Sequence, residues 1–191
     1  MTISMQPSNQ TSPALHPTDK PLPSVRLTPL EGDAYEAWLS YVVPDYAQER
    51  VQAGNYHPAE ALQRAEQEFR ELLPQGPATP GQHLFGIEAV DPGIFVGIVW
   101  FAEIQRGPRL EAFIYDLTIY EPYRRRGYAL AAMLAAEDEA RKLGIDRIGL
   151  HVFGYNRGAW ALYDKLGYEV TNVNMAKSLA AAGTPADPRT P

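Results

Sequence analysis

The chain has 191 residues, of which 45% are hydrophobic and 21% charged, enough for one globular domain with a substantial core. Its 17 Lys and Arg against 23 Asp and Glu give a formal net charge of −6, which excludes a broad nucleic-acid surface. The absence of cysteine excludes disulfides, cysteine-ligated zinc and a thiol nucleophile, and no apolar run reaches membrane-spanning length, so a cytoplasmic protein without membrane or nucleic-acid partners is expected.

Residues 1–23 are rich in Pro, Ser, Thr, Asn and Gln and lack the basic start and apolar centre of a secretory signal, so they read as a disordered tail. Residues 181–191 read the same way, leaving 24–180 as the folded domain. Val25–Leu30 predicts a short strand, and Glu31–Ala53 a helix that Pro44 is expected to kink or divide. A second helix is predicted over Ala59–Leu73, followed by a loop dense in breakers from Pro74 to Gly81. His83–Val90 and Ile94–Ile104 predict a hairpin across Asp91, Pro92 and Gly93. In the next strand, Arg109–Tyr120, simple alternation places Phe113, Tyr115, Leu117 and Ile119 on one face and Ala112, Ile114, Asp116 and Thr118 on the other. A helix then runs to about Leu143, with Leu130, Met133, Leu134 and Ala140 on its apolar side and Gly144 as its stop. Arg147–Val152, Tyr155–Leu166 and Tyr168–Met175 predict a closing strand, helix and strand. An antiparallel start followed by this alternation means a mixed α/β sheet.

Two segments carry chemistry. The first is the run from Tyr123 to Leu130, in which Arg124, Arg125 and Arg126 precede Gly127, Tyr128 and Ala129 between a strand and a helix. The first turn of a helix presents unpaired N–H groups and partial positive charge, and Gly127 and Ala129 let an anion approach the main chain. Neither a P-loop nor a three-glycine dinucleotide fingerprint is satisfied, so the run reads as a phosphate cradle of another kind. The second segment places Asn156, Ala159 and Tyr163 at i, i+3 and i+7 of a helix, hence on one face. That face either lines a cleft, or Asn156 caps the helix and Tyr163 packs on the sheet.

Together, the pattern Arg-x-x-Gly-x-Ala after a strand and Asn-x-x-Ala-x-x-x-Tyr-x-x-x-Gly-Tyr ending at Tyr168 resembles the GCN5-related N-acetyltransferase (GNAT) superfamily, most sharply from Phe113 to Tyr168. Tyr46–Gly54 and Glu71–His83 look like a bacterial branch of it. The resemblance implies a mixed, mostly antiparallel central sheet with a splayed strand pair and flanking helices. It also implies direct transfer of an acetyl group from acetyl-CoA to a primary amine of a small molecule or peptide, within a ternary complex. The main chain of Leu117, Thr118 and Ile119 would then pair with the pantetheine arm, the loop and helix start from Arg124 to Leu130 would hold the pyrophosphate, and Asn156 would contact the pantetheine side. Tyr163 would protonate the departing thiolate. A protonated amine also needs a base, for which His151 is the candidate, with Asp116 and Glu103 as alternatives. Asp45, Tyr46 and Glu49 are candidates to meet a cationic acceptor. No metal is expected, since no His/Asp/Glu spacing suggests a site, and a homodimer is allowed because superfamily members often pair. The alternative function is a non-catalytic acyl-CoA sensor.

Overall fold

The computed structural model describes residues 21–177, so the two tails assigned from composition lie almost wholly outside it. Five strands form one sheet in the order β1-β2-β3-β4-β5. They are β1 (Val25–Pro29), β2 (Gln82–Ala89), β3 (Ile94–Arg106), β4 (Arg109–Ile119) and β5 (Ile148–Leu150). The first four pair antiparallel and β4 pairs parallel with β5, giving the mixed sheet that alternation of elements predicted.

Four helices flank the sheet: α1 (Gly32–Gln52), α2 (Ala61–Leu72), α3 (Tyr128–Lys142) and α4 (Arg157–Lys165). One core joins Trp38, Val42, Phe69 and Leu73 of the α1–α2 pair to Leu84, Ile98 and Trp100 of the sheet. Trp38, Phe69 and Trp100 meet with centroids 5.7 to 6.0 Å apart, Trp38 edge-on to Trp100. On the opposite face α3 packs Ala132, Met133, Ala136 and Ala140 against Val96, Val99, Phe101 and Ile114, with Leu162 and Tyr163 of α4 bordering the same core.

Pro44 neither kinks nor divides α1, which is one continuous helix. Pro44 is exposed, so the carbonyl that loses its partner faces water. Leu134 departs from its expected place in the α3 core and is 41% exposed. The small side chains at 132, 136 and 140 fall on the sheet-facing stripe instead and bring α3 close.

Strict alternation fails in β4. The register pairs Trp100 with Asp116 and Phe101 with Ile114, so Tyr115 is an extra residue, a β-bulge. Beyond it the faces exchange: Leu117 and Ile119 join Ala112 and Ile114 on the α3 side. Tyr115 stacks on Trp100 on the α1 side, 4.6 Å between centroids, and Asp116 reaches Trp38 there. The strand expected over Tyr168–Met175 is also absent: Tyr168 docks on Tyr163, and the remainder pairs with no strand among the described residues. Its β-prone side chains have nothing to pack on, Met175 being 92% exposed, and propensity alone does not hold a strand.

Because Ala132 is fully buried against the sheet, Ala132→Leu should overpack the interface and cost about 1–3 kcal/mol in urea unfolding. Leu134→Ala, on the outer side, should stay within about 0.5 kcal/mol of the parent; equal losses in both would contradict this orientation of α3.

Candidate active site

β4 and β5 pair only over Ala112–Ile114 and Ile148–Leu150. From the bulge at Tyr115 to Ile119, β4 continues without a neighbour on that side, so the sheet opens into a wedge. Leu117, Thr118 and Ile119 lie on this free edge, where an extended ligand can add main-chain hydrogen bonds.

The edge runs into the predicted cradle. A 3-10 turn over Glu121–Tyr123 leads to Arg124, whose Nε donates to the carbonyl of Ile119 at 2.9 Å. That bond spends the side chain on closing the loop against the end of β4. Arg125 has φ of 61°, the only positive value for a non-glycine residue among those described, and Gly127 follows at 91°. Such strain persists only where the surroundings hold it, and left-handed residues turn successive N–H groups toward a common point. The guanidinium of Arg126 lies 6.0 Å from the Tyr123 ring. Helix α3 starts at Tyr128 with no side-chain cap and no acidic residue in its first turn. The N–H groups of Tyr128, Ala129 and Leu130 therefore have no intrahelical acceptor, and the positive end of the helix faces the loop. A would-be Cβ on Gly127 meets Pro23 Cδ at 3.0 Å, so the segment before β1 also borders the cradle.

Asn156 is the N-cap of α4, its Oδ1 accepting from the N–H of Ala159 at 3.1 Å, a bond of about 1 kcal/mol. The capping reading of Asn156 is thus the one observed. Tyr163 is half-buried, its ring 5.6 Å from Tyr168. Burial, and then the carboxylate of Asp116, push its phenol above the ordinary range. The two groups therefore sense each other although they come from opposite faces of the sheet.

Asp116 receives Trp38 Nε1 at 3.0 Å and Thr118 Oγ1 at 2.9 Å. Burial outweighs these bonds and raises its carboxyl pKa. Glu49 is raised as well, first by burial and then by Asp45 and Asp116. The Tyr155 hydroxyl is raised by burial, then by Glu49 and Asp45, so the loop after β5 faces α1 across the wedge. Tyr41, Asp45 and Glu49 recur every four residues along α1. Burial and Asp45 raise Tyr41, whereas Arg124 lowers it, which sets Tyr41 between the carboxylates and the cradle.

The structure separates the other candidates. Tyr46 turns away into the α1–α2 core, donating to Glu68 at 2.7 Å and meeting Tyr56 and Phe69 edge-on. Glu103 pairs with His83 Nε2 at 2.8 Å, one strand away from the wedge. His151 is exposed just past the end of β5, its ring edge-on to Phe153 at 5.0 Å. Tyr41 and Tyr155 were not foreseen; the only sequence signal was the four-residue spacing that aligns Tyr41 with Asp45 and Glu49.

Residues 39–168 match the family profile described as Acetyltransferase (GNAT) family. The chain belongs to this family. It is 40% identical over 156 residues to the uncharacterised N-acetyltransferase YycN of Bacillus subtilis strain 168, covering 82% of this chain and 99% of that one. Identity to the uncharacterised N-acetyltransferase YdgE of the same organism is 33% over 147 residues, 77% of this chain and 93% of that one. A crystal structure of YycN superposes with a TM-score of 0.76 at 39% identity, over 82% of this chain and 99% of that chain. The GNAT chain is accordingly an enzyme of acyl transfer to an amine.

The raised carboxyl of Asp116 has a consequence for stability. Below about pH 4 the carboxyl is protonated in folded and unfolded chains alike; as pH rises toward the folded pKa, the unfolded chain ionises first and unfolding gains. The raised carboxyl thus costs stability at neutral pH relative to acid pH. Asp116→Asn should give a melting temperature that, relative to the parent, is higher at pH 7 than at pH 4, and the same difference at both pH values would contradict a raised carboxyl.

Proposed function

We propose that the protein moves an acetyl group from acetyl-CoA directly to a primary amine in a ternary complex. The observation that carries this reading is the free β4 edge from Leu117 to Ile119 running into the uncapped start of α3. An extended amide-bearing chain that ends in a diphosphate fits this sequence of donors. The pantetheine arm would pair with the edge, and the pyrophosphate would take the N–H groups between Arg125 and Leu130. With no cysteine in the chain, direct attack is the simplest route.

In the proposed reaction the amine nitrogen attacks the thioester carbon, the C–N bond forms, and the C–S bond breaks as the tetrahedral species collapses. The thiolate takes the phenolic proton of Tyr163. A phenol of pKa about 10 yields to a thiolate of about 8.5 at a cost of roughly 2 kcal/mol. Its raised pKa widens that gap in the free enzyme but keeps Tyr163 protonated at any working pH. Of the two protons lost by the ammonium, one leaves through water toward Asp116 and Glu49, whose raised carboxyls make them better bases than ordinary carboxylates, and the other is returned through water to the Tyr163 phenolate, which restores the acid. His151, exposed beyond β5, is the second acceptor of protons in this scheme.

Tyr163→Phe should lower kcat about 10²–10⁴-fold, the usual range for a general acid, with little change in the Kd of acetyl-CoA by calorimetry. Unchanged turnover would remove Tyr163 from the reaction. Gly127→Val puts a branched side chain at φ 91° and against Pro23, so it should abolish acetyl-CoA binding while circular dichroism stays that of a folded protein. Micromolar affinity in that variant would refute the cradle. Binding of acetyl-CoA without thiol release on any amine would favour a sensor over an enzyme.

A further inference from the structure

A cavity of about 420 Å³ lies between the first half of α1 and the sheet, sharing Trp38, Tyr41 and Thr118 with the site described above. Small side chains make the room: Ala34 and Ala37 on the helix stand over Gly86 and Gly97 on the strands. Any Cβ at Gly86 would meet Cε1 of Phe95 at 2.7 Å, so the glycine lets the Phe95 ring lie across β2. The mouth is rimmed by three aromatic side chains left largely in water, Phe95 (55% exposed), Tyr41 (49%) and Tyr120 (38%).

The cavity joins the wedge through two shared side chains. Trp38 and Thr118 line it, and these are the residues that donate to Asp116. The α1 stripe that overlooks both regions changes character along its length: Ala34 and Ala37 come first, Tyr41 next, then Asp45 and Glu49. At about 100° per residue Ala34, Tyr41 and Asp45 share one line on the helix. The cavity wall includes one carboxylate, Glu31, and no lysine or arginine. Its volume lies in the range of small-molecule sites, and its walls suit an apolar body rather than a sugar or a peptide backbone.

We propose that this cavity holds the body of the acceptor, and that the acceptor is a small primary amine carried on an aromatic or alkyl group. The inference rests on the N-acetyltransferase reading above and narrows its substrate class. The ammonium lies at the Thr118 end, toward Asp116, Asp45 and Glu49, where carboxylates complement it and aromatic faces attract it. The body extends beneath Tyr41 and Tyr120 toward Phe95 and Gly86.

The probes are 2-phenylethylamine and ethylamine, compared by calorimetry and by thiol release from acetyl-CoA. The parent should bind 2-phenylethylamine at least tenfold tighter than ethylamine. Ala37→Phe, which fills the cavity from an exposed helix position, should erase that preference and leave the Kd of acetyl-CoA unchanged. Ala34→Leu is the second filler, used if Ala37→Phe melts early. Equal affinity for the two amines, or a preference that survives either folded filler, would overturn the proposal. A preference in binding that the fillers remove, without thiol release, would uphold the cavity and defeat the transferase reading. Thiol release on spermidine or glycinamide, unaffected by the fillers and exceeding that on 2-phenylethylamine, would uphold the transferase reading and overturn this one.

Discussion

The hydrogen bond from the Trp38 indole to the Asp116 carboxylate fixes the relation of α1 to β4 at the place where the sheet divides. Trp38 sits in the aromatic core with Phe69 and Trp100, so the donor cannot swing away without breaking that packing. The acceptor stands on β4 directly after the bulge, and only because Tyr115 is an extra residue does Asp116 face α1. Without the bulge the carboxylate would point into the α3 core, away from the Trp38 indole. A single contact therefore sets three things: the seat of the α1 helix, the polarity of the wedge floor, and the end wall of the cavity beside it.

The donor side obeys a different logic, in which main chain does most of the work. Arg124 would serve a phosphate well as a free guanidinium, yet it binds the Ile119 carbonyl and holds the loop. What remains for an anion is a row of N–H groups set by a left-handed Arg125, a left-handed Gly127 and a helix start that no side chain caps. A cap would be worth about 1 kcal/mol to α3. Its omission leaves donors whose satisfaction must come from elsewhere, and the exposed Arg125 and Arg126 side chains add positive charge around them.

Features written in local spacing could be read from the sequence. The α3 start and the helix that carries Tyr163 two turns after Asn156 depend on residues within one helix of each other, and both stand where spacing put them; of the two readings open for Asn156, the cap is the one observed. The β2–β3 hairpin was legible for the same reason. The bulge was not, because no residue type marks Tyr115 as surplus; it exists only in the pairing of β4 with β3, so the face assigned to every residue after it was inverted. Tyr168–Met175 failed for a related reason, since a strand needs a neighbour and β5 offers three residues. The α1 stripe was half legible. Asp45 and Glu49 follow from their four-residue spacing, whereas Tyr46 is one residue off that stripe and turns into the α1–α2 core, bonded to Glu68.

The field of Asp116 at Tyr163 has a sign that matters for the proposed mechanism. A carboxylate raises the pKa of a nearby phenol, which weakens the phenol as an acid toward a free thiolate. Yet the same carboxylate is what a cationic acceptor would meet, and a bound ammonium placed among Asp116, Asp45 and Glu49 would offset its field at Tyr163. The acid would then be held in its protonated form while the site is empty of cation and become a better donor once the acceptor has arrived. In the proposed mechanism, delivery of the phenolic proton would in this way be coupled to occupancy by the amine, and wasteful hydrolysis of the thioester, which brings no cation, would meet the less acidic phenol.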